Sequence, residues 1–192
     1  MKLVLTTLAL ILASDLSGLA QSDNEKGYMD CSLKNLVACR NSNQIVAGLH
    51  GSKPETARAI GKFLSGAPSY FVRAGSHTFV IKVEAAIIEA FWGPGDGRYH
   101  FADGSWFFDG FTPHAAPYSA AIIFGAEGDI LLAAVHDRPG GNLRIYLHAE
   151  LEKPEYLRHV EDWARGDSKA NASVTVYALS KNGKHWKKSK LS

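Results

Sequence analysis

Histidine is the side chain best suited to acid–base work or metal binding near neutral pH, and this sequence has eight. They stand singly, at His50, His77, His100, His114, His136, His148, His159 and His185. None forms a His-Glu-x-x-His pair, and none has a second histidine four residues away beside a carboxylate, the spacing that would put two ligands on one helical face. A Gly-x-Ser-x-Gly nucleophile elbow is also missing. His136-Asp137 has the composition of half a triad, but it falls where a strand ends and a turn begins, and turn polarity accounts for it. The sequence therefore predicts no catalytic residues, no metal ligands and no cofactor, and points to a binding protein rather than an enzyme.

The only two cysteines, Cys31 and Cys39, offer the next piece of chemistry. Zinc would need further nearby Cys or His ligands, which the segment does not supply. Gly27-Tyr28-Met29-Asp30 is also not the small, apolar approach that lipid attachment at Cys31 would favour. A disulfide is expected, because the N terminus reads as an export signal and exported cysteine pairs are usually oxidised. Lys2 gives the positive start, Leu3 to Ala13 the apolar stretch, and Gly18-Leu19-Ala20 a small-residue exit, with cleavage near Ala20. That apolar stretch is too short to span a bilayer. A periplasmic protein without a membrane span is the expectation.

Around these residues the chain reads as one domain of 192 residues, 46% hydrophobic and 21% charged. The formal charge of +2 is unchanged by removal of residues 1–20, which hold Lys2 and Asp15, and it does not indicate a nucleic-acid partner. The organisation expected is a signal peptide at 1–20, an N-terminal arm at 21–52, a folded domain at 53–180 and a basic tail at 181–192. The tail carries Lys181, Lys184, Lys187, Lys188 and Lys190 and is expected to be solvated. Ser52-Lys53-Pro54-Glu55 predicts a capped helix start, followed by Ala57, Ile60 and Leu64 on one face and an end near Gly66 and Pro68.

Strand patterning then takes over. Phe79–Val83, Arg98–Phe101, Ser105–Asp109, Ser119–Phe124, Asp129–Val135 and Leu143–His148 read as strands, while Glu84–Trp92 suits a strand or a helix. Short turns at Asp103-Gly104, Ala126-Glu127-Gly128 and Arg138-Pro139-Gly140-Gly141 make consecutive strands antiparallel. A second helix starts at Pro154, with Leu157, Val160 and Ala164 on one face, and Val174–Leu179 is a last strand. The fold class expected is α+β, an antiparallel sheet of about five strands flanked by helices. Trp106-Phe107-Phe108 and Phe111 are expected in the core, with a sugar-stacking platform as the alternative use.

Between two of these strands lies Gly110-Phe111-Thr112-Pro113-His114-Ala115-Ala116-Pro117. Pro113 fixes its own φ and restricts Thr112, and Pro117 restricts Ala116, so the loop loses little entropy on binding. His114 is its one ionisable group, flanked by small alanines.

This loop and its surroundings resemble the Ivy family, the inhibitors of vertebrate lysozyme. In that family a Cys-Lys-Pro-His-Asp-Cys loop follows a strand and precedes an apolar strand, a Gly turn and another strand. Here Phe111 to Ala116 fill the frame, and Ala120 to Phe124, the turn through Gly128 and the run to Ala133 continue it. Upstream, Phe63-Leu64-Ser65-Gly66 and Pro68 to Gly75 resemble the family's helix end and proline-aromatic segment, so the likeness spans roughly residues 56–165. Pro113 and His114 carry over. The two loop cysteines are Phe111 and Ala116, the lysine is Thr112 and the aspartate is Ala115.

The resemblance implies a periplasmic α+β protein, often dimeric, whose Thr112, Pro113, His114 and Ala115 enter the cleft of a lysozyme or other peptidoglycan glycosidase. Two other functions fit the same chain: an immunity protein against a secreted wall-degrading toxin, and a glycan- or cell-wall-binding protein using Trp92, Trp106 and the lysine tail.

Overall fold

The apolar run that follows the loop carries no polar alternation, the mark of a strand covered on both faces. In the computed structural model it is β7 (Tyr118–Phe124), and all seven of its residues are buried. The structure describes residues 30–48, 51–74, 77–93, 95, 97–112, 118–138, 140–148, 153–167, 173–180, 183 and 185–189. Along the chain come a 3-10 turn (Leu36–Ala38), α1 (Ser42–Val46), β1 (Ala47–Gly48), β2 (Gly51–Ser52) and α2 (Pro54–Phe63). They are followed by β3 (Tyr70–Ala74), β4 (His77–Ile81), α3 (Val83–Trp92), β5 (Arg98–His100), β6 (Trp106–Phe111) and β7. The chain continues through β8 (Ile130–Asp137), β9 (Asn142–His148), α4 (Pro154–Asp167), β10 (Ser173–Leu179) and β11 (Trp186–Ser189).

The class is α+β, but the main sheet has seven strands rather than about five, in the order β11-β10-β9-β8-β7-β6-β5. It is also mixed. β5 to β9 form an antiparallel meander joined by short turns, whereas β10 lies parallel to β9 with Leu179 opposite His148. The reason is the connection: α4 carries the chain back to the end where β9 began, so the next strand must run the same way. The expected lysine tail supplies another strand. β11 pairs antiparallel with β10, and Lys187 and Lys188 lie exposed on that sheet edge, where charge discourages pairing with another chain. Phe79–Val83 is largely β4, which pairs with β3 in a separate hairpin rather than joining the main sheet.

Helices cover both faces. On one, α2, α3 and the N-terminal segment pack over Phe108, Ala120, Ile122, Phe124, Val135 and Tyr146. On the other, Tyr156, Leu157, Val160 and Ala164 of α4 pack over Phe107, Ile123, Leu132, Ala134 and Ile145. The ambiguous segment Glu84–Trp92 is a helix because Val83, Ala86, Ile87, Ala90 and Phe91 recur at three- and four-residue spacing and all are buried. Among the described residues no helix is long and apolar enough to cross a membrane.

The expected capping box at Ser52 does not form. Ser52 pairs with Ala47 in the β1–β2 hairpin, and α2 begins at Pro54 without a side-chain cap. Lys53 has another role: its ammonium donates to the carbonyls of Cys31 and Gln44, tying the N-terminal segment to the helix start. Partial burial lowers the Lys53 pKa, and the Glu55 carboxylate opposes that shift.

The disulfide between Cys31 and Cys39 is present, with both residues essentially inaccessible at 1% and 0% exposure. Residues 31–47, expected as part of an arm, instead pack into the core through Leu36, Ile45 and Val46. Gly128 has φ of 83° in the β7–β8 turn, and a Cβ there would collide with the Leu33 carbonyl. The N-terminal segment thus lies directly against the sheet. Replacing both cysteines by alanine is expected to lower the unfolding free energy by about 2–3 kcal/mol. Urea denaturation of the wild type and double variant measures it, and equal midpoints would contradict the cystine's structural role.

Candidate functional site

One end of the main sheet gathers the C-terminal ends of β6 and β8 and the starts of β7, β9 and β10. The loop singled out by sequence leaves from this end. Its central residues Pro113, His114 and Ala115 lie outside the described residues, whereas Thr112 before them and Tyr118, the residue after the loop, form a defined base. The Thr112 hydroxyl donates to the Tyr118 carbonyl at 3.1 Å, and Thr112 is only 6% exposed. The hydrogen bond closes the loop where the β6–β7 ladder ends, since Phe111 and Ser119 are the last paired residues.

Tyr118 is anchored a second time. Its phenol donates to the Glu89 carboxylate of α3 at 2.5 Å. Burial, and then the Glu89 carboxylate, push the Tyr118 pKa well above its usual value, so the phenol keeps the proton that makes this bond. On the opposite stem the Arg138 guanidinium lies 5.1 Å from the centre of the Phe111 ring, within cation–π range. Asp137 organises the neighbouring β8–β9 turn by accepting from the Gly140 amide. Sheet polarity also concentrates here: Thr112, Ser119, His136 and Asp137 are all buried, and Ser119 pairs with His136 across β7 and β8. His136 is fully buried with its ring 6.1 Å from Trp163, an interior position rather than one at a reactive cleft.

Thr112 was therefore legible from sequence, but Tyr118, Glu89 and Arg138 were not. Glu89 stands on a helix whose relation to the loop only the three-dimensional packing reveals.

The aromatic residues are arranged differently from an open sugar platform. The Trp106 ring has the Arg98 guanidinium 4.3 Å from its centre and stacks with His100 at 4.2 Å. Its π-surface is engaged by its own neighbours. Phe107 and Phe108 alternate onto the two buried faces, as strand geometry requires. Trp92 is 39% exposed at the end of α3.

A second polar cluster fixes α4 to the β5–β6 turn. The Asp103 carboxylate accepts from the Ser105 and Tyr156 hydroxyls at 2.6 and 2.5 Å and pairs with Lys153. Burial works against the charged carboxyl, but hydrogen bonds from Lys153, Ser105 and Tyr156 outweigh it and hold its pKa well below the usual range. The bond to Asp103 raises the Lys153 pKa to about 12. A carboxylate so stabilised is a weak base, and the cluster serves as a clamp. Asp109 makes a similar tie, accepting from the Trp163 indole at 2.8 Å and the Gly97 amide at 2.7 Å. Among the described residues no three His, Cys, Asp or Glu gather as metal ligands.

His159 sits between these ties, 4.6 Å from Tyr99 and 4.5 Å from Phe107. Burial lowers its pKa below 6.5, and Asp162 partly offsets this.

The chain matches no family model, no curated protein and no solved structure.

Two outcomes follow from this geometry. Thr112→Val is expected to lower stability by about 1 kcal/mol through loss of the loop-closing hydrogen bond, and an unchanged urea midpoint would contradict that closure. For His159 the unfolded chain takes up a proton before the folded one does. Its contribution is therefore present above pH 6.5 and is lost as pH falls through the lower folded value. The drop in stability between about pH 7 and about pH 5 should be smaller in His159→Phe than in wild type. Superimposable pH profiles would contradict it.

Proposed function

We propose that the protein is an exported, periplasmic inhibitor of a lysozyme-like peptidoglycan hydrolase, acting through the loop from Thr112 to Ala115. The observation that carries this reading is the clamped loop base: Thr112 bonded to Tyr118, and Tyr118 bonded in turn to Glu89, on a strand buried along its whole length. A loop whose two stems are held this way presents its intervening residues with little stem entropy left to lose on binding. In the Ivy inhibitors that the loop resembles, the loop is closed by a cystine. Here Phe111 and Ala116 occupy those positions, and the hydroxyl–carbonyl bond from Thr112 to Tyr118 supplies a non-covalent closure.

The chemistry follows from the target. Lysozyme-type glycosidases work with two carboxylates, one kept protonated as the acid. The His114 imidazole would hydrogen-bond these groups, pair with their charge when protonated, and displace the sugar. Thr112 and Pro113 support the loop, and Ala115 leaves room beside the imidazole. A net charge of +2 provides no long-range attraction to a strongly basic lysozyme. Less basic wall hydrolases, including a toxin that attacks the wall, fit this charge better.

The test is inhibition of a panel of muramidases by the purified protein. His114→Ala is expected to weaken inhibition of the susceptible enzyme about tenfold or more, about 1.4 kcal/mol of binding free energy, with an unchanged thermal midpoint. Inhibition that survives the substitution intact would overturn the mechanism.

A further inference from the structure

The opposite end of the sheet has a different character. β9 and β10 run parallel, so both finish there, with His148 and Leu179 side by side. Beside these strand ends lies a cavity of about 410 Å³, walled by α2, the start of β8 and the ends of β9 and β10. That volume lies at the small end of the range of small-molecule sites, about 300–1,000 Å³.

Its lining has two parts. Phe63, Ile130 and Leu179 give an apolar floor. They keep 8%, 7% and 6% exposure, while neighbouring Ile60 and Leu64 keep 0% and 2%, so the core is open to solvent at this point. Among the described residues around the floor stand an ammonium, a carboxylate and an imidazole, those of Lys62, Asp129 and His148. Phe63 holds the His148 ring in an edge contact at 5.2 Å. Lys62 and Asp129 line the same cavity, yet neither is joined to the other or to any other charge by an ion pair among the described residues. Asp129 is set by its turn. The Gly125 amide donates to its carbonyl at 2.8 Å, and its carboxylate occupies the space that a side chain at residue 125 would fill.

We propose that this cavity binds a small zwitterion with an apolar side chain, an apolar α-amino acid. Lys62 takes the ligand carboxylate, Asp129 takes its ammonium, and Phe63, Ile130 and Leu179 receive the side chain. Two opposite charges that do not neutralise each other, set over an apolar floor, match that chemistry and fit an anion or a hydrocarbon alone less well. This site is independent of the Thr112 loop, which leaves the other end of the sheet.

The experiment is an amide NMR titration of the protein with L-leucine. Glycine, N-acetyl-L-leucine and L-leucine methyl ester serve as ligands lacking the side chain, the cation and the anion, respectively. Saturable shifts at Lys62, Phe63, Asp129, Ile130, His148 and Leu179 are expected, with Kd on the order of 1 mM or below. Each of the three comparators should bind at least about fivefold more weakly, roughly the effect of losing one modest contact. Lys62→Ala, at an exposed position, should weaken leucine to the level of the methyl ester, while its thermal midpoint stays at the wild-type value. No saturable shift with leucine would overturn the proposal. So would a methyl ester, acetyl derivative or glycine that binds as well as leucine. These ligand comparisons use the wild-type protein and stand whatever Lys62→Ala does to folding.

Discussion

A strand buried on both faces can satisfy its polar backbone only through its neighbours, and β7 imposes this condition on the whole molecule. Its seven residues contact apolar side chains above and below, so their amides and carbonyls must pair with β6 and β8 or remain unsatisfied at a cost of about 1–3 kcal/mol each. The ladder in turn needs cover on both sides. One cover is α4; the other combines α2, α3 and the cystine segment. Polar side chains are driven to the strand ends, where Thr112, Ser119, His136 and Asp137 collect at one end and the cavity beside His148 opens at the other. Both candidate sites are consequences of how a doubly covered sheet must end.

The strongly patterned parts of this arrangement were legible from residue order. Ser119–Phe124 lacks alternation because it has no wet face, whereas Leu143–His148 alternates as if one face were wet, yet Ile145, Tyr146 and Leu147 are buried in succession. The two-cysteine segment is bonded as expected. Other features depend on long-range packing. Nothing local to Val174–Leu179 shows that it lies parallel to β9, because direction is set by the path of α4. The lysines that make 181–192 look like a solvated tail belong, at 187 and 188, to an edge strand whose Trp186 packs on Phe63 and Tyr146. Ser52 has a good capping sequence, but the β1–β2 pairing claims it first.

The loop base shows the same division. Proline spacing identifies Thr112 as the start of a restrained segment, and the structure gives it a buried hydrogen bond. Its deeper support, the phenol of Tyr118 on Glu89, joins residues 29 positions apart in sequence. An exposed glutamate on a helix has no signature that distinguishes it from its neighbours. The cavity was similarly hidden, since Lys62, Asp129 and His148 come from three elements and share no motif.

The enclosed cystine also bears on the order of assembly. Cys31 and Cys39 emerge early from a chain made from its N terminus, yet the core cluster in which they are buried also holds Phe108, Ile130 and Tyr146, much later in sequence. Until those later residues join that cluster, the two sulfurs are open to solvent. Oxidation is easiest as an early event, giving the later strands a preformed surface on which to condense. Once that core is complete, a reductant reaches the bond only after the packing around the N-terminal segment has opened.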